Sequence, residues 1–493
     1  MRHRVPEWYR DAKLGVMVHW GVPTVPAYAP VEHGGIVEIL REHDWRFYFA
    51  NNPYAEWYAN SIRIPDSPAR AYHRKHYGSQ PYERLARRFK EDLAAWDPNE
   101  WADLFKEVGA RYVVMVGKHH DGFLMWPSDR TPPSENFVAS RDVVGELATA
   151  VRERGLKYGV YYSGQLDWTV QHEPVRDYAD LPLAATPRDY VRYAEAHFNE
   201  LIRQYSPDLL WNDIGLPPGI RRRALFKTYR RAVPDGVLND RWDQLAGPAR
   251  RLAGTPIGRA ILRRRARKAL LEGKPVGGRG DVSTIEYAPV RCMRRKPWEL
   301  VRGIGRSFCY NAAEPSESYL SGTDLIHLLV DVVSKNGNLL LNIAPRADGS
   351  ISNEQRSALS ELTAWLRVHR EAIYGTRPWH VAEGRTREGL PVRYTRKRHT
   401  LYAIVLGSPS MLSIGLMGLD LRKLTAPREA TSGGYELSVR LIGSERSIEW
   451  RQEADAVVVD VPGSFVPPVA TVIEFAWRAH REKATADFYT DVI

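Results

Sequence analysis

Two spacings of apolar residues alternate along the first three quarters of the chain. Short, nearly continuous apolar runs at Leu14–Trp20, Arg111–Val116, Lys157–Tyr162, Asp208–Asp213, Gly236–Asp240 and Asn338–Ile343 read as strands buried on both faces. Between them, Pro98–Val108, Val143–Arg154, Asp189–Gln204, Arg221–Arg231 and Thr323–Ser334 carry apolar residues at helical spacing. Strands separated by such helices imply right-handed βαβ units and a parallel sheet, and their number favours a closed (β/α)8-like TIM barrel. The helix Asn353–Ala372 closes this unit, with a turn near Gly375. The pattern then changes to short alternating or β-branched strands at Leu401–Leu406, Tyr435–Leu441, Ala456–Val461 and Ala470–Trp477, which predict a C-terminal antiparallel β-sandwich. The expected division is a barrel over 1–376, interrupted by an insertion at about 247–280, and a sandwich over 377–493. Within the insertion, Pro256–Leu271 reads as a basic amphipathic helix.

Charge and composition refine this picture in a few places. The chain carries a net charge of +11, and its basic residues concentrate in Arg250–Lys274, where Arg250, Arg251, Arg259, Arg263, Arg264, Arg265, Arg267, Lys268 and Lys274 face only Glu272. A basic run can serve a polyanion, but no nucleic-acid motif accompanies it, so a solvated basic helix is the simpler reading and nucleic acid is not an expected partner. The 15 Trp and 25 Tyr suit a sugar-binding cleft and equally a large packed core. Cys292 and Cys309 have no zinc spacing and cannot form a disulfide framework. Met1–Arg10 is charged, contains Pro6 and lacks an apolar h-region, so a cytoplasmic location is expected; no apolar run reaches the length of a membrane span.

Candidate chemistry gathers just after the apolar part of successive strands, at His19-Trp20, His119-His120, Tyr162, Asp213, Arg241 and Glu286. The C-terminal strand ends are where a (β/α) barrel places its site. In Trp211-Asn212-Asp213, strand alternation sets Leu209, Trp211 and Asp213 on one face. Asp213 therefore suits a carboxylate that attacks an anomeric carbon, although a helix cap ahead of Pro217 fits its position as well. Glu286, between Ile285 and Tyr287, is the leading second carboxyl, one whose pKa burial would raise. Glu299, in Lys296-Pro297-Trp298-Glu299, is a rival that also reads as a first-turn helix acid. His19, His119 and His120 lack an H-E-x-x-H pattern, and adjacent histidines on a strand point to opposite faces. Hydrogen bonds to sugar hydroxyls suit them better than a metal, and satisfied core histidines remain the plainer alternative. Arg241 could orient a carboxylate, bind a ring hydroxyl, or pair structurally with Asp240.

Taken together, these segments resemble the α-L-fucosidase family of glycoside hydrolases. The matching pieces run in order from Glu7-Trp8-Tyr9 and Lys13–Gly21 through Glu56-Trp57-Tyr58, Phe89–Trp101, Ala110–Trp126, Gly159–Ser163, Tyr205–Gly215, Asn239-Asp240-Arg241, Glu286-Tyr287, Trp298-Glu299, Gly303–Asn311 and Asp331–Pro345. The resemblance implies a retaining exo-glycosidase that hydrolyses terminal α-L-fucosides through a covalent fucosyl-enzyme. It makes Asp213 the nucleophile and, as in one branch of the family, Glu286 the acid/base. It further implies that His19, His119, His120, Tyr162 and Arg241 hold fucose hydroxyls and that Glu56 lies near the histidines. Trp57, Trp211 and Phe308 would line the pocket, the last near the fucose methyl. No metal or organic cofactor is implied, and the partner is a fucosylated oligosaccharide or glycoconjugate, with homo-oligomerisation left open. The basic insertion between Arg241 and Glu286 departs from the family pattern and weakens the alignment of the acid/base. The alternatives are a non-catalytic fucose-binding protein on the same scaffold, and a polyanion binder acting through the insertion.

Overall fold

The computed structural model of the protein describes residues 4–130, 132, 134–275, 277–409, 413–424, 426, 435–444, 448–461 and 469–479. The last part of the expected C-terminal domain, 480–493, lies outside the described residues. The chain divides into two compact units, residues 1–325 with 337–363, and residues 326–336 with 364–493.

The first unit is built on a curled sheet of eight parallel strands: β1 (Leu14–Val18), β2 (Tyr112–Lys118), β3 (Lys157–Ser163), β4 (Leu209–Asp213), β5 (Val237–Leu238), β6 (Ser283–Glu286), β7 (Trp298–Gly303) and β8 (Gly337–Ile343). Their order is β5-β4-β3-β2-β1-β8-β7-β6, with every pairing parallel. Strands β1, β2, β4 and β8 are buried along their whole length, as their continuous apolar sequences require. The regular ladder stops between β5 and β6, where irregular bonds take over. Arg279 N–H donates to the Asp240 carbonyl (3.2 Å), Asp281 N–H to the Leu238 carbonyl (2.9 Å), and Leu238 N–H to the Asp281 carboxylate (2.9 Å). A Cβ on Gly280 would lie 1.7 Å from the Asn239 carbonyl oxygen, so only glycine lets the two backbones approach this closely.

The periodic helices form at Pro98–Glu107, Val143–Glu153, Arg188–Tyr205, Arg222–Ala232, Gly322–Ser334 and Asn353–His369, and the basic helix spans Pro256–Leu271 as its pattern predicts. Trp298–Gly303 is a strand, not the start of a helix, so the reading of Glu299 as a first-turn helix acid is corrected.

The second unit holds β9 (Arg377–Arg385), β10 (Pro391–Lys397), β11 (Thr400–Leu406), β12 (Ser413–Met417), β13 (Tyr435–Leu441), β14 (Trp450–Gln452), β15 (Ala456–Asp460) and β16 (Ala470–Ala479). They form a five-stranded antiparallel sheet, β13-β16-β11-β10-β9, and a three-stranded one, β12-β15-β14. Alternate residues of both, among them Leu401, Ala403, Ile473, Phe475, Ile414, Leu416, Val457 and Val459, share one buried apolar core, the arrangement of a β-sandwich.

Candidate active site

A cavity of about 380 Å³ opens at the C-terminal ends of the barrel strands. Met17 of β1 and Val301 of β7 reach it from the barrel interior, and polar groups from β3, β4 and β6 and from the loops after β1, β2 and β5 surround it.

Asp213 is the last residue of β4. The chain turns sharply behind it, with Ile214 and Gly215 both in the left-handed region (φ 58° and 94°), a costly conformation for a β-branched residue. That turn brings the Ile214 N–H onto Asp213 Oδ1 (2.8 Å). Tyr161 donates its hydroxyl to Oδ2 (2.7 Å), and Arg241 Nη1 donates to Oδ1 (2.8 Å). Burial alone would raise the carboxyl's pKa, but the Arg241 charge and these hydrogen bonds outweigh it and hold Asp213 below the usual carboxylate range. The next helix begins only at Arg222, so Asp213 caps nothing.

Glu286 ends β6 and is also followed by a left-handed residue, Tyr287 (φ 51°). Its Oε1 lies 2.5 Å from Arg241 Nη2, so one guanidinium spans both acids, Nη1 on Asp213 and Nη2 on Glu286. The guanidinium lies over the Trp211 ring, 4.9 Å from its centroid. Glu286 accepts fewer hydrogen bonds than Asp213. Burial is its largest influence, Arg241 opposes it, the Asp213 charge adds to it, and the pKa is raised. Two carboxyls at one cavity are thus displaced in opposite directions.

Glu299 sits apart from both. It is fully buried in β7 and accepts from the hydroxyls of Tyr9 (2.9 Å) and Tyr112 (2.8 Å) and from the Trp211 indole (3.1 Å). It does not line the cavity.

The histidines are held neutral. His19 faces Asn342 Oδ1 (2.6 Å), whose amide nitrogen donates to the Phe308 carbonyl (2.6 Å); the Asn342 oxygen therefore accepts Nδ1–H and leaves His19 Nε2 bare. His120 Nδ1 faces the Ser163 hydroxyl (2.7 Å), which itself donates to the Leu166 carbonyl, so His120 donates from Nδ1 and keeps Nε2 bare, 3.7 Å from Asp213. Burial lowers the His19 pKa to about 4 and pushes His119 and His120 well below the usual range. The buried His119 Nδ1 has no hydrogen-bond partner among the described residues. The expectation that His119 and His120 point to opposite faces is corrected: β2 ends at Lys118, the chain turns through Gly122 (φ 82°), and both rings line the cavity with centroids 4.0 Å apart.

Glu56 also lines the cavity, accepting from Cys309 N–H (3.0 Å) and the Ser307 hydroxyl (3.2 Å), with burial raising its pKa to about 7. Trp57 packs on His120 (5.1 Å), Phe308 packs on His19 (5.0 Å), and Trp211 stacks on Tyr161 (5.2 Å).

Tyr162 is not part of this group, and its assignment to the sugar pocket is corrected. It points out of the barrel, its hydroxyl against His197 Nδ1 (3.0 Å) and its ring against Phe198. Tyr161 takes the place by the cavity. Alternation separates Tyr161 from Tyr162, and the register decides between them: β3 and β4 pair Tyr161 with Trp211 and Ser163 with Asp213, so the face that carries Asp213 carries Tyr161. Sequence reasoning also missed Trp45 and Tyr48, on the short helix Trp45–Ala50, and Tyr54, in the loop after it, which reach the cavity from the segment between β1 and β2. Among the described residues, no three His, Cys, Asp or Glu side chains are grouped so as to hold a metal ion.

A family model described as Alpha-L-fucosidase matches residues 1–371. The chain belongs to the alpha-L-fucosidase family. Among curated fucosidases, it is 29% identical to the tissue alpha-L-fucosidase of Mus musculus, with 96% of this chain and 91% of the relative covered. It is 31% identical to the alpha-L-fucosidase of Branchiostoma floridae, over 84% and 82% of the two chains. Among solved structures, the Thermotoga maritima alpha-fucosidase bound to a mechanism-based inhibitor superposes with a TM-score of 0.79 at 36% identity, covering 96% of this chain and 97% of that one. The likeness to these fucosidases thus runs through both units of the fold.

Proposed function

We propose that the protein hydrolyses terminal α-L-fucosides with retention of configuration, by double displacement. The observation that carries this reading is the pair of oppositely shifted carboxyls spanned by the Arg241 guanidinium. Asp213, ionised and aimed by Tyr161 and Ile214 N–H, attacks the anomeric carbon. Glu286, protonated, gives its proton to the glycosidic oxygen as that bond breaks and the leaving group departs as an alcohol. Glu286, now a carboxylate, then takes a proton from water. The oxygen of that water attacks the anomeric carbon and releases Asp213. Retaining enzymes hold their carboxyls about 5–5.5 Å apart, and a bridge one guanidinium wide supports that separation. Membership of the fucosidase family supports fucose as the sugar, and the bare Nε2 atoms of His19 and His120 are suited to accept from its hydroxyls.

The test is hydrolysis of an aryl α-L-fucoside. Asp213→Asn is expected to lower kcat at least about 10³-fold with the thermal transition unchanged. Glu286→Ala is expected to regain turnover with azide on substrates with good leaving groups, giving the retained fucosyl azide. Full activity in Asp213→Asn, or an inverted azide product, would reject the mechanism.

A further inference from the structure

We propose that the inserted basic helix, Pro256–Leu271, forms the leaving-group side of the cavity and selects fucosides whose aglycone is a hydrocarbon chain or ring in preference to a second sugar. This rests on the fucosidase reading and concerns what lies beyond the fucose. Leu262, Ala266 and Leu270 recur every four residues, so they form one stripe, and all three line the cavity together with Leu181 and Tyr178.

The stripe is fixed in place. Arg259 pairs with Asp180 (2.5 Å) and Arg263 with the buried Asp177 (2.8 Å), while the Trp45 indole donates to the Arg263 carbonyl (3.1 Å). Arg250 donates to the carbonyls of Pro182, Leu183 and Ala184. A Cβ on Gly258 would lie 2.1 Å from the Leu252 carbonyl, so the preceding helix (Gly247–Gly254) packs directly on this one.

The polar side chains at this end already have partners. Gln244 donates to the carbonyls of Pro217 and Ile220, Gln165 donates to that of Leu181, and Asp243 accepts the Gly278 N–H. A second sugar would shed water from its hydroxyls against a wall whose amide donors are already engaged and where the exposed Asp243 carboxylate still offers an acceptor, whereas a hydrocarbon gains from burial along the leucine stripe.

The experiment compares methyl, butyl and octyl α-L-fucosides, whose leaving alcohols differ little in acidity, with a fucosyl disaccharide. For the intact protein, kcat/KM is expected to rise at least about tenfold from methyl to octyl, with the disaccharide no better than methyl. Replacing Leu262 and Leu270 together by Asn should flatten the series without changing inhibition by free fucose. Arg264→Ala, on the exposed side, should keep the rise. A flat series in the intact protein, a disaccharide that outruns octyl, or a double variant that keeps the full rise overturns the proposal. Calorimetric binding of the same series to Asp213→Asn reads the wall without turnover. Absence of turnover with tighter octyl binding rejects the hydrolase reading alone, and equal binding of methyl and octyl rejects the subsite.

Discussion

Asp213 and Glu286 share one guanidinium yet sit in different hydrogen-bond environments, and that difference fixes how activity should depend on pH. Asp213 must be ionised, and its pKa is depressed, so activity falls only when pH drops through a value below the ordinary carboxylate range. Glu286 must be protonated, and its pKa is raised, so activity falls as pH climbs through a value above that range. The expected kcat/KM profile is a bell whose plateau lies between the two. Tyr161→Phe removes one donor from Asp213 Oδ2. It should move the acid limb upward and lower kcat/KM by roughly tenfold, about the worth of one hydrogen bond to a charged group. Tyr162→Phe, on the other face of the same strand, should leave both the profile and kcat unchanged, as pH–rate measurements on the two variants will decide.

At the level of elements, Glu299 shows how the barrel interior is tied together. Three donors, from the helix Glu7–Ala12, from β2 and from β4, converge on this one carboxylate in β7. Glu299→Ala leaves two buried hydroxyls and an indole N–H without their acceptor and should cost about 3 kcal/mol or more. Glu299→Gln keeps one acceptor oxygen and should cost less; denaturant unfolding of both variants measures the difference. The strands and helices of the barrel were legible because burial on both faces leaves continuous apolar runs in β1, β2, β4 and β8. Glu299 was not, because Lys296-Pro297 ahead of it imitates a helix start, and a buried acid inside a strand makes sense only once distant tyrosines are placed around it. The same limit hid Trp45, Tyr48 and Tyr54. Their segment has no strand period, and its route to the cavity is set by packing across the fold. The place of the two acids at the cavity was legible because each ends a strand, Asp213 an apolar one and Glu286 a short, β-branched one. The Tyr162 assignment failed because strand-end position and resemblance both chose it, while which of two adjacent tyrosines faces the cavity is fixed by the register of β3 on β4, which sets Tyr161 beside Trp211.

Across the barrel unit as a whole, the basic insertion divides its charge between the barrel and the solvent. Arg250, Arg259, Arg263 and Arg267 turn toward the barrel and join the insertion to two distant stretches, 177–184 and 41–45. Arg251, Arg264, Arg265 and Lys268 are left exposed. Inward and outward arginines therefore do different physical work, and a protease can tell them apart. Trypsin needs a locally unfolded segment, so its rate at Arg264 and Arg265 reports how often the insertion opens away from the barrel. Arg263→Ala breaks the pair with Asp177, whose side chain is 4% exposed and so cannot recover the lost contact fully from water. Weakening that tie by one charged hydrogen bond should raise the local opening frequency, and with it the cleavage rate, about tenfold. The barrel's thermal transition should hardly move, because the strands and their core do not pass through this pair. Arg251→Ala, which removes an exposed charge of the same run, should leave the cleavage rate at Arg264 and Arg265 unchanged. Equal rates in the Arg263→Ala variant and the intact protein would mean that the clamp lies elsewhere, on Arg250 and the carbonyls of 182–184.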